Sequence, residues 1–531
     1  MRNKLNIYAG NIDKNTTISL IFAAFCRSFS QSQINFSNKC DQNSNSINVL
    51  LGCESELNNA NFNYLIKGQR NKIILNGKLG KNIKNILDIR ENQIDVLDKD
   101  LKPANHINPF LSNSIVKYNQ NISYLRNFIS TLSQRTTSRY DFELEWNSHC
   151  YGDITANDEL LNLSHKCSLK EEDYLAYIQG ANNYKTPLIA QFTINTNLII
   201  WINRNLGLVD LPEWNIIEHF IANAYFNKYP CIPYISEFAK TDNGLMTMRL
   251  DCDEDIESSR KVFELYKENN FPISLAITTN QLEGREISPL PKDVKDNGGT
   301  ILNHSHTHPI NWGGDKSKIR NEIEISTKLI KSVYGIRTEY AVSPFHHLTW
   351  DALDVLNEMD YKGVVSGISS SHHEFLYMRG GFINKNLNIL LHSQQCMIHG
   401  DCITKNRSLA DYLFAFDLFS KLGFSMGFLD HPISQRYDYG WGSPERQVES
   451  HKEIINHLIK KQIKFVNQEE IFKRLEAKDK LQIKQIEKES IQCLVIKNTS
   501  EYCLSVSYAD KKFNLPPSNT TIIELSKNLK N

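Results

Sequence analysis

Three histidines fall within five positions of the stretch ILNHSHTHPINW, at His304, His306 and His308. Imidazoles ligate divalent metals and move protons near neutral pH, so this concentration points to a metal centre or to acid–base chemistry. In a helix, His304 and His308 share a face through their i, i+4 spacing; in an extended segment all three point one way. Pro309 biases His308 away from the helical region and favours a strand end running into a loop. Either geometry lets His304 and His308 converge on one ion and leaves His306 undecided. A zinc-type site takes three or four N/O ligands with one position open for chemistry, and a nearby aspartate would complete the set. The candidates are Asp251, Asp253 and Asp255 in MRLDCDED.

A chain of 531 residues must position these groups. Hydrophobic cores stop growing near about 250–300 residues, so two or three domains are expected. Lysine plus arginine number 60 and aspartate plus glutamate 60, which gives no electrostatic pull toward nucleic acid or an acidic membrane surface. Eleven cysteines, thinly spread and without a CxxC pair, read as reduced thiols. The stretch MRNKLNIYAGNIDKNTT lacks the apolar run of a secretory signal, and ISLIFAAFC is too short to span a bilayer. The expected setting is cytoplasmic, with no membrane span and no nucleic-acid partner.

Strand-like runs such as INVLLGC and NKIILNG, with the amphipathic PEWNIIEHFIANAYF, mark residues 1–240 as an α/β domain without a catalytic constellation. The polar run from Gln31 to Ser46 reads as a loop. From Gly244 the pattern becomes regular. Strands are predicted at 245–251, 271–278, 299–305, 338–344, 361–367, 387–393, 424–430 and 463–467, most of them separated by helical segments. This alternation predicts a parallel sheet covered by helices. A charged helix is predicted over QEEIFKRLEAKDKLQIKQIEKES, followed by four short strands between 488 and 527.

The polar candidates fall at the carboxyl ends of the predicted strands: Asp251 and Asp253, then His304 to His308, then Pro344 to His347, then His431. In β/α barrels that rim carries the active site. The segments MRLDCDED, NGGTILNHSHTHP, SVYG, SPF and FLDHP together resemble the motifs of the NodB-type polysaccharide deacetylases, the carbohydrate esterase 4 superfamily, over about 244–480.

The resemblance implies a distorted (β/α) barrel deacetylase domain over 241–480; with the residue patterns on either side, the expected α/β chain has a separate α/β domain over 1–240 before it and a small β appendage over 488–527 after it. The resemblance also implies a divalent metal, zinc first with cobalt, manganese or nickel as alternatives, held by Asp253, His304 and His308. Asp251 resembles the catalytic base, His431 the acid that protonates the leaving group, and Phe345 the residue whose backbone N–H assists the oxyanion. The implied activity removes acetyl groups from an N-acetylated sugar or polysaccharide precursor. The alternatives are a non-hydrolytic carbohydrate-binding relative and another C–N hydrolase acting on a small amide.

Three departures from the family pattern stand out, one of them that the later D-x-x-D-W motif has no clear counterpart. The aspartates are split by Cys252, which leaves Asp255 as a substitute ligand, and Ala341 or Val342 stands where an arginine would orient the base. Arg379 could supply a cation from another loop. Trp312, Tyr439 and Trp441, with Trp350 and Tyr437, are candidate sugar-stacking residues. His346, His347, His372, His373, Glu374, His399 and His451 read as structural.

Overall fold

The computed structural model describes residues 4–10, 16–40, 44–91, 115–138, 154–155, 163–179, 184–204, 211–284, 286–366, 379–383, 387–392, 395–400, 408–489 and 491–525. His372, His373 and Glu374 lie outside the described residues. Two compact units emerge, one drawn from Met1–Asp141, Gly152–Lys240 and Ala477–Asn531, the other Thr241–Glu476.

The first unit is built on a mixed sheet. Strands Leu5–Tyr8, Ile34–Ser37, Ile47–Leu51, Lys72–Asn76 and Asn197–Ile202 run parallel, and Lys185–Ile194, Tyr174–Gln179 and Ile115–Tyr118 follow antiparallel. Ile34–Ser37 lies inside the polar run read as a loop; its pairing with Leu5–Tyr8 decides its conformation, not its own hydrophobicity. The helix Leu211–Ala222 is not amphipathic in its surroundings. Glu213, Asn215 and Glu218 are as buried as Trp214 and Phe220, with Glu213 paired to Arg204 and Glu218 accepting from the Ser28 hydroxyl. The predicted charged helix ends at Asp479, and Gln482–Lys488 is a strand paired with Ile491–Asn498. The strand Leu504–Tyr508 pairs with Tyr234–Ser236, which ties the C-terminal strands to the first unit.

The second unit carries the candidate residues. Its elements are β1 (Leu245–Cys252), α1 (Arg260–Glu268), β2 (Ser274–Ile277), α2 (Leu290–Asp296), β3 (Thr300–Asn303), α3 (Lys316–Tyr334), β4 (Tyr340–Val342), α4 (Trp350–Glu358), β5 (Gly363–Val365), β6 (Leu390–His392), β7 (Gln395–Met397), α5 (Leu409–Lys421), β8 (Ser425–Asp430), α6 (Pro444–Lys461) and α7 (Gln468–Asp479). The sheet runs β6-β5-β4-β3-β2-β1-β8-β7, parallel throughout, with Gly381–Phe382 antiparallel on β6 and Lys464–Phe465 beside β1. Among the described residues β6 and β7 do not pair, so the curled sheet is not closed by hydrogen bonds. β7 was not expected from the sequence.

Local chemistry sets the element boundaries. α3 begins where Asp315 accepts from the N–H groups of Ser317 and Lys318 and ends at Gly335 in the left-handed region, φ 73°. Ile319, Ile323 and Ile330 form its buried stripe. β1 is buried along its whole length, with Met246, Met248 and Leu250 alternating with Thr247, Arg249 and Asp251. The second set therefore shares one face of the strand.

Candidate metal centre

β1, β3, β4 and β8 deliver their following residues to one rim of the sheet. Asp253 comes one residue after β1, His304 directly after β3 and His431 directly after β8. Three donor atoms meet there: Asp253 Oδ1, His304 Nε2 and His308 Nε2. The two nitrogens are 3.2 Å apart and lie 3.3 and 3.6 Å from the oxygen. Ligands bound about 2.0–2.1 Å from a tetrahedral ion stand about 3.3 Å from one another, which this triangle matches. Asp253 Oδ1 is buried and has no hydrogen-bond partner among the described residues. An orphaned carboxylate oxygen facing two imidazole nitrogens is the donor set that a zinc-type cation satisfies.

The surrounding groups set the state of the three donors. His304 Nδ1 lies 2.9 Å from the Val342 carbonyl, which can only accept, so the proton sits on Nδ1 and the Nε2 lone pair faces the centre. Burial alone would depress the His304 imidazole, but Asp253 and Asp251 outweigh it and raise its pKa above the usual value. His308 is pushed down to about 4, first by burial and then by the charge of His304. Burial disfavours an ionised Asp253, yet His304 and His431 hold its carboxyl well below the ordinary range.

The loop itself is neither helical nor extended. Ser305 and His308 both adopt positive φ, 70° and 57°, conformations that non-glycine residues reach only when their surroundings impose them. Ser305 N–H donates to Asn303 Oδ1 and His308 N–H donates to Ser305 Oγ. The Glu322 carboxylate, from α3, accepts from the N–H groups of His306 and Thr307 at 2.9 and 2.7 Å and from the Thr307 hydroxyl. This folding brings His304 and His308 together and sends His306 to Thr279 Oγ1 and toward Glu283. Asp255 accepts from Glu257 N–H and the Ser258 hydroxyl at the start of the next helical turn, away from the donor triangle.

Asp251 is 1% exposed and clasped by Arg249, with Nε to Oδ1 at 2.7 Å and Nη2 to Oδ2 at 3.1 Å. Burial pushes the Asp251 carboxyl up, but Arg249 first, then His304 and His431, hold it at about 2. Arg249 was not singled out in the sequence. Its signal was available in the i, i+2 spacing, which places both side chains on one face of β1. Arg379 instead donates to the Gly423 carbonyl and lies over the Phe424 ring.

His431 Nε2 is 3.5 Å from Asp253 Oδ2, and its Nδ1 is 2.6 Å from His399 Nε2. Burial lowers the basicity of His431, but Asp253 and Asp251 reverse this and leave its pKa raised. Behind it, the buried Asp430 accepts from His431 N–H, Trp441 Nε1, Gln447 Nε2 and His451 Nε2. His451 therefore serves the scaffold under the rim.

Phe345 has φ 52° and its ring packs 4.6 Å from His308. Tyr439 stacks on His431 at 4.5 Å. Trp312 and Trp441, read as sugar platforms, are both 0% exposed and offer no ring face to solvent. Trp441 is instead tied to Asp430, and Trp312 is fully enclosed by protein.

Residues 250–364 match the sequence profile of the family described as Polysaccharide deacetylase. This segment belongs to the polysaccharide deacetylase family. The match takes in the donor triangle and Asp251, and it ends before His399 and His431. No curated protein matches the chain.

Among solved structures, the chain is similar to the Xyl-CE4 domain of a multidomain xylanase from the hindgut metagenome of Trinervitermes trinervoides. That likeness has 14% identity, covers 44% of this chain and 90% of that one, and has a TM-score of 0.31. A family 4 carbohydrate esterase from Bacillus anthracis shares 18% identity over 45% of this chain and 86% of its own, TM-score 0.28. A family 4 pseudoenzyme from Bacillus anthracis shares 13% over 44% and 68%, TM-score 0.30. No described helix is long and apolar enough to cross a membrane.

Proposed function

We propose that the second unit is a divalent-metal-dependent hydrolase that removes acetyl groups from an N-acetylated sugar or polysaccharide precursor. The observation that carries this reading is the buried, unpartnered Asp253 Oδ1 facing His304 Nε2 and His308 Nε2 within 3.3 and 3.6 Å. These three residues would hold the ion, zinc first, with cobalt, manganese or nickel fitting the same donors. What such an ion supplies when bound is Lewis acidity, which acidifies water and polarises a carbonyl.

The chain's own groups do the rest. Asp251, kept ionised by Arg249, takes the proton of the attacking water. The Phe345 backbone N–H assists the oxyanion. His431, raised in basicity by two carboxylates and aimed at the centre through Nε2, gives a proton to the departing amine. Tyr439 and the exposed Tyr437, in ring contact at 4.9 Å, form the lip over which the sugar would lie. Arg249 also supplies the cation that Ala341 and Val342 cannot, which weakens the case for a non-hydrolytic relative. Nine described cysteines are unbridged, in keeping with a reducing, cytoplasmic setting.

The test is acetate release from N-acetylhexosamine oligomers by metal-loaded protein. Release that a chelator abolishes and that Asp251→Asn eliminates supports the reading. Turnover that survives both changes refutes it, and release confined to small non-sugar amides transfers the site to another substrate class.

A further inference from the structure

His431 has a neighbour that neither the histidine loop nor the family match supplies. We infer that His399 is the positioning residue for His431, fixing which imidazole nitrogen faces the donor triangle. The inference rests on the reading of His431 as the acid of the proposed reaction.

Sheet register brings the pair together. β7 and β8 are parallel with Met397 opposite Leu429, and Ile398 N–H donates to the Leu429 carbonyl at 2.8 Å. Continuing that register by two residues sets His399 opposite His431 at the same rim. Their side chains meet at 2.6 Å between Nε2 of His399 and Nδ1 of His431, with ring centroids 4.7 Å apart and edge-on at 67°.

The contact is held from a second side. A Cβ on Gly400 would lie 2.2–2.3 Å from the Gly440 carbonyl group and Trp441 N, so the backbone after His399 is pressed directly onto the loop that carries Tyr439. The Tyr439 ring stacks on His431 at 4.5 Å and packs 5.0 Å from His399. The two imidazoles are thus fixed in a cradle that only glycine permits at position 400.

The chemical consequence follows from the inventory of imidazole. Each ring nitrogen either donates or accepts, and a partner at one sets the role of the other. With Nδ1 engaged by His399, the Nε2 of His431 is the nitrogen turned toward Asp253 Oδ2, 3.5 Å away. A doubly protonated His431 donates Nδ1–H to His399 Nε2 and presents Nε2–H to the leaving nitrogen. When that proton has left, Nδ1–H stays on the hydrogen bond. His399 acts only through His431.

The experiment pairs His399→Phe with His399→Gln, the second keeping an amide able to engage Nδ1. In histidine-labelled protein, the signal lost in His431→Gln identifies the hydrogen-bonded ring proton of His431. That signal is expected to vanish in His399→Phe and to persist, shifted, in His399→Gln. Metal content should match wild type in both variants. In turnover, His399→Phe is expected to lose about 10- to 100-fold in kcat with KM unchanged, the size seen when the partner of a working histidine is removed, with partial recovery in His399→Gln.

An unchanged His431 signal in His399→Phe overturns the inference. So does a loss of kcat without any change in that signal, which would mark a merely structural role. Should His399→Phe fail to fold, Gly400→Ala serves as the second variant, displacing His399 without altering its chemistry, and an unmoved His431 signal there counts against the pairing. The spectroscopic arm needs no turnover, so it judges the pairing even where the deacetylase reading fails.

Discussion

Replacing Arg249 with methionine removes the guanidinium from a buried carboxylate, the one that takes the water's proton in the proposed reaction. The pair is fully desolvated, Arg249 and Asp251 each being 1% exposed, and its two hydrogen bonds are 2.7 and 3.1 Å long. Asp251 titrates at about 2 instead of 3.8 although burial pushes the other way. That lowering is worth about 2–3 kcal/mol in favour of the ionised form. The depressed folded value means that this stabilisation is present above the unfolded pKa near 3.9 and is lost as pH falls through about 2.

Removing one member of a buried pair costs about 3–5 kcal/mol, because the other charge is stranded. For a unit of this size that lowers the melting midpoint by about 6–20 °C. Asp251 should then resist ionisation, so the acid limb of the acetate-release profile moves to higher pH and neutral-pH turnover falls by about 100-fold or more. Metal content should be unchanged, since Arg249 touches none of the donor atoms. The double variant Arg249→Met with Asp251→Asn should recover much of the melting temperature while remaining inactive. An Arg249→Met enzyme with wild-type turnover and an unmoved acid limb would refute the assignment of Asp251 and its partner.

Other outcomes follow from the same geometry. His306→Ala should keep its metal and its turnover within about twofold, because His306 faces Thr279 and Glu283, and loss of bound metal would return it to the ligand set. Trp441→Phe should cost about 1–3 kcal/mol in a thermal melt by removing one of the two hydrogen bonds that the buried Asp430 Oδ1 accepts, with KM for oligosaccharide unchanged; a raised KM with normal melting would reinstate a stacking role. Metal affinity should weaken steadily as pH falls from 8 to 6. The carboxylates raise the His304 pKa, so protons compete for that imidazole already near neutrality, and an affinity flat across this range would contradict the site.

Much of the second unit was legible because two periodicities suffice for it. Strands in β1 to β6 and β8 fall within or one residue beyond the predicted spans, and the acids and histidines at their carboxyl ends share a rim by topology alone. What escaped was set by contacts between distant segments. The positive φ of Ser305 and His308, imposed through Asn303 and Glu322, decides that His306 turns away, and no local pattern encodes it. The family pattern puts the base-orienting arginine near the prolines, whereas strand alternation places Arg249 beside Asp251 on one face of β1. Trp312 and Trp441 are near the rim residues in sequence, but burial is a tertiary property and takes both rings out of solvent. In Gln482–Lys488 the charged residues suggested a helix, while pairing with Ile491–Asn498 and burial of Ile483 make it a strand.

The account stands on an ion held between Asp253, His304 and His308. Titrating metal-free protein with cobalt or zinc, by calorimetry and by the cobalt absorption spectrum, tests that most directly. A single tight site per chain, abolished by Asp253→Ala and by His308→Ala in proteins that still melt cooperatively, is the predicted result. Absence of binding, or binding indifferent to both substitutions, would contradict it.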